Sequence, residues 1–149
     1  MDKKYYLELA KEWYKRQSSK NRTLAFHQLQ EQFCKDYNLT HLTNGGSRFV
    51  IKLNETKILK LQLVKLDGFP DNQSEVERWL SLSEDEKINF ATIHEFGPKF
   101  EYIIMEYIPY IACKYDDIPR NVKMLINDKH IPNYGQRADG TWVTLDYAS

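Results

Sequence analysis

The sequence predicts an α+β fold in which two helices lead into a five-stranded antiparallel sheet. One more helix sits between the third and fourth strands, and a small second lobe follows. Three observations point to this. Apolar residues recur at helical spacing as far as Tyr37; short β-branched and aromatic runs separated by Asn-Gly and Asn-Glu-Thr turns come next; and one helical stretch then interrupts those runs.

The chain has 149 residues, room for one domain or two small lobes around a real core. Lys+Arg and Asp+Glu number 21 each, so no bulk field recruits nucleic acid or a membrane surface. Cys34 and Cys113 are too few and too far apart for a metal cluster. No signal-peptide pattern precedes Lys3 and Lys4, and no apolar run approaches the roughly eighteen residues of a membrane span. The expectation is a soluble, cytoplasmic chain with reduced thiols.

From Asp2 to about Gln17, the residues Tyr6, Leu9, Ala10 and Trp13 mark one helical face. A polar break at Ser18–Arg22 leads to Thr23, the expected N-cap of a second helix carrying Phe26, Leu29 and Phe33. Aromatic stripes at this spacing are usually core, so residues 1–37 read as a helical brace on the following sheet, the alternative being a docking surface for a partner.

Residues 38–108 read as the sheet-bearing lobe. Asn38–Thr43, Ser47–Leu53 and Lys57–Leu63 form an antiparallel meander. The turn Asn44-Gly45-Gly46 is either a plain hairpin turn or a loop whose bare backbone N–H groups approach a phosphate. Lys60, flanked by apolar residues on the third strand, buries its stem and needs an anionic partner. The helix over 71–80 offers Glu75; Glu77, about 200° around that helix, is the less favoured partner. Ser81 to Asn89 reads as a helix end and a loop. Phe90–Phe96 and Glu101–Ile108 then supply the last two strands, joined across Gly97-Pro98.

Residues 109–149 make the small lobe. A helix from Ile118 or Arg120 to Ile126 turns Val122, Leu125 and Ile126 to the core. Asp128 and Asn133 share a loop that Pro132 keeps from being helical. Tyr134–Arg137 and Thr141–Leu145 flank an Asp139-Gly140 turn, and the resulting hairpin returns Asp146 beside Asn133. Oxygen ligands in this order suit phosphate and a divalent metal.

Asp128 and Asn133 at that spacing, a hairpin, and an apolar run closing in Asp146-Tyr147 resemble the catalytic loop and metal-binding aspartate of the protein-kinase-like superfamily. The version with Asn133-Tyr134-Gly135 and Asp139-Gly140 resembles the short kinase-like proteins of bacteriophages. Lys60, Glu75 and the strand Tyr102–Ile108 follow one another upstream in kinase order. The resemblance implies a protein-kinase-like fold with a five-stranded N-lobe sheet, one αC-like helix and a minimal C-lobe, using ATP and Mg²⁺. It assigns Gly45, Gly46 and Arg48 to the phosphate loop, and Lys60, steadied by Glu75, to the α- and β-phosphates. Glu106 and Ile108 fall on the hinge behind Met105, and Asn133 and Asp146 on the metal. Asp128 is expected to orient the acceptor hydroxyl and take its proton, with protonated His130 near the γ-phosphate.

Departures from the pattern shape the functional expectation. Ile126-Asn127 replaces the usual His-Arg, Asp146-Tyr147-Ala148 replaces Asp-Phe-Gly, and Arg48 stands where the last loop glycine falls. That arginine either adds a phosphate contact or blocks the pocket. With three residues after Asp146, the expectation is a miniature member or a nucleotide-binding remnant, lacking a peptide-seating lobe. The sequence therefore supports a small phosphotransferase using Mg-ATP, its acceptor a host protein Ser or Thr or a small molecule, in the host cytoplasm if phage-encoded. The alternative is an inactive kinase-like phage protein that binds and inhibits a host enzyme or defence component. Intact Lys60, Glu75, Asp128, Asn133 and Asp146 favour the first, and the missing lobe favours the second.

Overall fold

The computed structural model describes residues 3–17, 25–45, 48–62, 68–127, 129 and 131–148. Helices α1 (Lys3–Gln17) and α2 (Phe26–Asp36) precede strands β1 (Thr40–Gly45), β2 (Arg48–Lys52) and β3 (Lys57–Gln62). Helix α3 (Pro70–Ser81) and the single turn α4 (Glu84–Lys87) lead to β4 (Ile93–Phe96) and β5 (Ile103–Glu106). Then come β6 (Tyr110–Ile111), the single turn α5 (Arg120–Lys123), β7 (Tyr134–Gln136) and β8 (Trp142–Thr144). The chain is α+β, with a five-stranded antiparallel sheet in the order β1-β2-β3-β5-β4 and a three-stranded sheet in the order β6-β7-β8.

Local chemistry explains most boundaries. Helix α2 ends in a Schellman motif: Asn38 takes the left-handed conformation at φ 54, its N–H donates to the Lys35 carbonyl at 3.3 Å, and that of Leu39 to the Cys34 carbonyl at 2.7 Å. That closure moves β1 two residues beyond the expected start. Gly45 consequently belongs to the strand, opposite Arg48, rather than to the turn. The expected N-cap Thr23 lies outside the described residues; Ala25 occupies the cap position, with the Gln28 side chain accepting its N–H at 3.1 Å. Pro70 opens α3, where its missing N–H costs nothing. Within the expected loop, Ser83 and Glu86 form a reciprocal capping box that starts α4.

Three expected elements are shorter than the sequence pattern suggests. The fifth strand starts at Ile103, because Phe100 at φ 65 and the Phe100 N–H to Gly97 carbonyl bond of 2.9 Å complete a turn first. The fourth starts at Ile93; Phe90 and Ala91 are spent on a bridge to Thr144, with the Ala91 N–H on the Thr144 carbonyl at 2.9 Å. The helix expected to reach Ile126 is one turn long, and the Tyr134 hydroxyl donates to the Lys123 carbonyl at 3.0 Å where its next turn would begin.

Alternation along the strands sorts the side chains onto two faces. Phe49, Ile51, Leu59, Leu61 and Ile104 face α1 and α2 in one core, while Val50, Ile58, Ile103 and Met105 face α3 and the second lobe in another. Trp13 is fully buried in the first, its ring 4.7 Å from Phe49 and 5.5 Å from Phe33, with its indole N–H on the Gln62 carbonyl at 3.0 Å. The aromatic stripe of α1 and α2 is thus covered by the sheet, which makes the pair a brace. Truncating Trp13 to Ala removes the largest side chain of that core, and a loss of about 3–5 kcal/mol in urea unfolding is expected; a change below about 1 kcal/mol would mean that α1 does not hold the sheet.

Candidate functional site

The face of the sheet that looks toward α3 carries two buried cations. Lys60 and Arg48 both lie on it by strand parity, and Arg48 is the first residue of β2. Glu75 lies on α3 directly opposite. Its carboxylate accepts from Lys60 Nζ at 2.8 Å, and from Arg48 Nη1 at 2.7 Å and Nη2 at 3.3 Å. Glu77, on the other side of the helix, is exposed and pairs with Gln73.

The C-terminal segment closes the group. The Leu145 N–H donates to the Asn133 carbonyl at 2.7 Å, which sets Asp146 next to the loop turn Ile131–Asn133. Asp146 Oδ1 accepts from Arg48 Nη2 at 2.5 Å, the Leu145 carbonyl accepts from Lys60 Nζ at 2.9 Å, and the Tyr147 N–H donates to Glu75 Oε2 at 2.6 Å. Ser74 Oγ donates to the Ala148 carbonyl, and the Tyr147 hydroxyl to that of Ala91 at 2.7 Å. Lys60, Glu75, Arg48 and Asp146 therefore form one connected network of two cations and two carboxylates.

Burial sets its electrostatics. Glu75 is wholly inaccessible and Arg48 is 2 % exposed, whereas the Asp146 side chain is 31 % exposed. Burial opposes the charge on Glu75, but Arg48 and Lys60 outweigh it and lower its pKa from 4.5 to about 2. For Arg48, too, burial disfavours the charge; Glu75 and Asp146 prevail and raise its pKa further. Burial lowers the pKa of the Lys60 ammonium, with Glu75 opposing and Arg48 contributing. A half-made network of this kind is costly, so its members stand or fall together.

The other residues singled out from the sequence divide. Asp128, His130 and Gly46 lie outside the described residues. At the hinge-like strand, the Glu106 N–H is taken by the Thr92 carbonyl and the Tyr107 N–H by that of Thr56, both at 2.8 Å. The Glu106 side chain is held by Arg137, at 2.9 Å from Nε and 3.0 Å from Nη2, and Ile108 is buried. Three contributors had no local signal. Arg137 reads as the last residue of a strand before a turn, its partner lying thirty-one positions away; the Leu145 carbonyl and Tyr147 N–H are backbone groups, whose direction no side-chain pattern encodes.

Asn133 and Asp146 bear hard oxygen donors, a suitable pair for Mg²⁺ when phosphate oxygens and water complete the shell. Among the described residues no group of three or more His, Cys, Asp or Glu is placed to hold a metal ion. Among the described residues Lys60 donates to the Glu75 carboxylate and the Leu145 carbonyl, two of the three donors an ammonium carries.

The lowered pKa of Glu75 makes stability depend on acid in a defined direction. A carboxyl depressed in the folded state stabilises above its unfolded pKa, and that contribution is lost as pH falls from 4.5 toward about 2. Acid unfolding followed by circular dichroism is expected to show a loss of about 3 kcal/mol across that window; Glu75→Gln is destabilised at neutral pH and lacks that slope. An unchanged slope in the variant would contradict the pairing. A scan against protein-family models and a search of curated proteins each match nothing to this chain.

Proposed function

We propose that the chain is a small kinase-like phosphotransferase that uses Mg-ATP. The observation that carries this is the 2.8 Å pair between Lys60 on β3 and Glu75 on α3, joined through Arg48 and Leu145 to Asp146. A lysine on a sheet, a helix carboxylate that orients it and a loop aspartate beside an asparagine are the parts phosphoryl transfer needs, because that chemistry rests on positioning and charge neutralisation. The antiparallel sheet with one helix after its third strand supports the same reading.

In this reading Lys60 holds the α- and β-phosphate oxygens, and Glu75 fixes the ammonium so that little reorganisation is left for the reaction. Asn133 and Asp146 would hold Mg²⁺, which when bound supplies neutralisation of the phosphate charge. The acceptor hydroxyl oxygen bonds to the γ-phosphorus as the bond to the β–γ bridging oxygen breaks, releasing ADP. Asp128, assigned from sequence alone, accepts the hydroxyl proton. The acceptor class is a Ser or Thr of a host protein, or a small molecule that the minimal second lobe admits.

One observation favours a second reading. Arg48 already occupies Oδ1 of Asp146, which suits a kinase-like protein whose fold serves to bind and inhibit a host enzyme or defence component. Thermal unfolding with and without Mg-ATP separates the two. Ligand at a hundredfold its Kd stabilises by about 2.7 kcal/mol, a rise of several degrees in Tm for a chain of this size, and Asp146→Ala abolishes the rise. Transfer of label from γ-labelled ATP to a component of host lysate then identifies the transferase; the absence of any shift at millimolar ATP would shift the conclusion to the interaction protein.

A further inference from the structure

We propose that Arg48 sets the metal and nucleotide affinity of this site: it is a built-in cation that competes with a divalent metal for Asp146 and must be displaced before a metal–nucleotide complex can bind. The inference rests on the nucleotide-site reading above and deepens it.

Three features carry it. The guanidinium Nη2 sits 2.5 Å from Asp146 Oδ1, the same carboxylate that a metal bridging to phosphate would use. A second cation at that carboxylate is opposed by the first, so occupancy by Arg48 and by a metal are antagonistic. Second, the network is built so that Arg48 can leave Asp146 without stranding a charge. Arg48 keeps Glu75, at 2.7 and 3.3 Å, and Glu75 keeps Lys60 at 2.8 Å and the Tyr147 N–H at 2.6 Å. Third, the exposure is asymmetric: Arg48 is sealed at 2 %, while the Asp146 side chain at 31 % is the member within reach of an arriving ion.

The exchange balances in charge. The Arg48–Asp146 contact would open and leave the carboxylate oxygen to a divalent cation, while Arg48 stays paired with Glu75. Arg48 is thus a positioning residue that holds Asp146 before the ligand binds and remains on Glu75 after.

Calorimetric titration of ATP at several Mg²⁺ concentrations into the wild-type chain, Arg48→Gln and Arg48→Lys tests this. Gln removes the charge, and Lys keeps it but cannot span two carboxylates with one planar group. Arg48→Gln is expected to bind Mg-ATP at least tenfold more tightly and to need less Mg²⁺ for half-saturation, with Arg48→Lys between it and the wild type. Circular dichroism establishes that each variant is folded, and if Gln at 48 is not tolerated the Lys variant alone decides. Equal or weaker binding by the folded variants, with the wild type still binding, would overturn the competition and leave the nucleotide site standing. Absence of Mg-ATP binding by all three proteins would overturn the nucleotide reading and this inference with it.

Discussion

A carboxylate without access to water persists only where enough donors surround it to offset the lost hydration, and in this chain Glu75 is that carboxylate. Its two oxygens receive Lys60 and Arg48 from the sheet and the Tyr147 N–H from the C-terminal segment, while α3 supplies the group itself. Three parts of the fold distant in sequence meet at one side chain. Because each donor compensates part of the same burial cost, the sheet, the helix and the terminal segment define one another's positions.

The small lobe packs Ile118, Val122, Ile126 and Tyr134 into the core beneath the sheet, and backbone and clamp contacts join it there as well. Thr144 bonds Ala91 and Asn89 through its backbone, both at 2.9 Å. Arg137 spans Glu106, the Ile88 carbonyl at 2.7 Å and the Phe90 carbonyl at 3.1 Å. Glu106 answers with a lowered pKa, where burial opposes the charge and the bonds from Arg137 and the Thr92 N–H prevail. Gly135 allows β7 to approach β6, since a Cβ there would fall 2.7 Å from the Tyr110 carbonyl oxygen. Directional polar groups thus add to the apolar core that the two lobes share, in which Ile103 and Met105 of the sheet meet Ile118, Val122 and Tyr134.

Stability and chemistry make opposing demands on Arg48. For the resting fold its guanidinium completes the charge balance, neutralising what Lys60 alone leaves on Glu75 and Asp146. In the proposed metal-dependent reaction the same contact would occupy an oxygen that the metal needs. Placing this conflict on a residue with a second buried partner keeps the cost of resolving it small, because neither Arg48 nor Glu75 is stranded when the Asp146 contact opens.

Residue types and their spacing determined a great deal unaided. The change of period from helical to alternating around Tyr37, the turn residues between strands, and the placement of Trp13, Leu9 and Phe33 on one face were enough for the brace, the five strands and the inserted helix. The pairing of Lys60 with Glu75 was legible too, since a lone cation among apolar neighbours demands a carboxylate and helical geometry singles out one of the two nearby. The tertiary structure alone decided where Arg48 points, that Arg137 clamps Glu106, that β6 pairs with β7, and that the Leu145 carbonyl and Tyr147 N–H complete the network. The reason is physical. Periodicity reports which face of its own element a side chain occupies, whereas these contacts join groups from 24 to 98 positions apart, and backbone donors and acceptors are the same at every residue until the fold aims them.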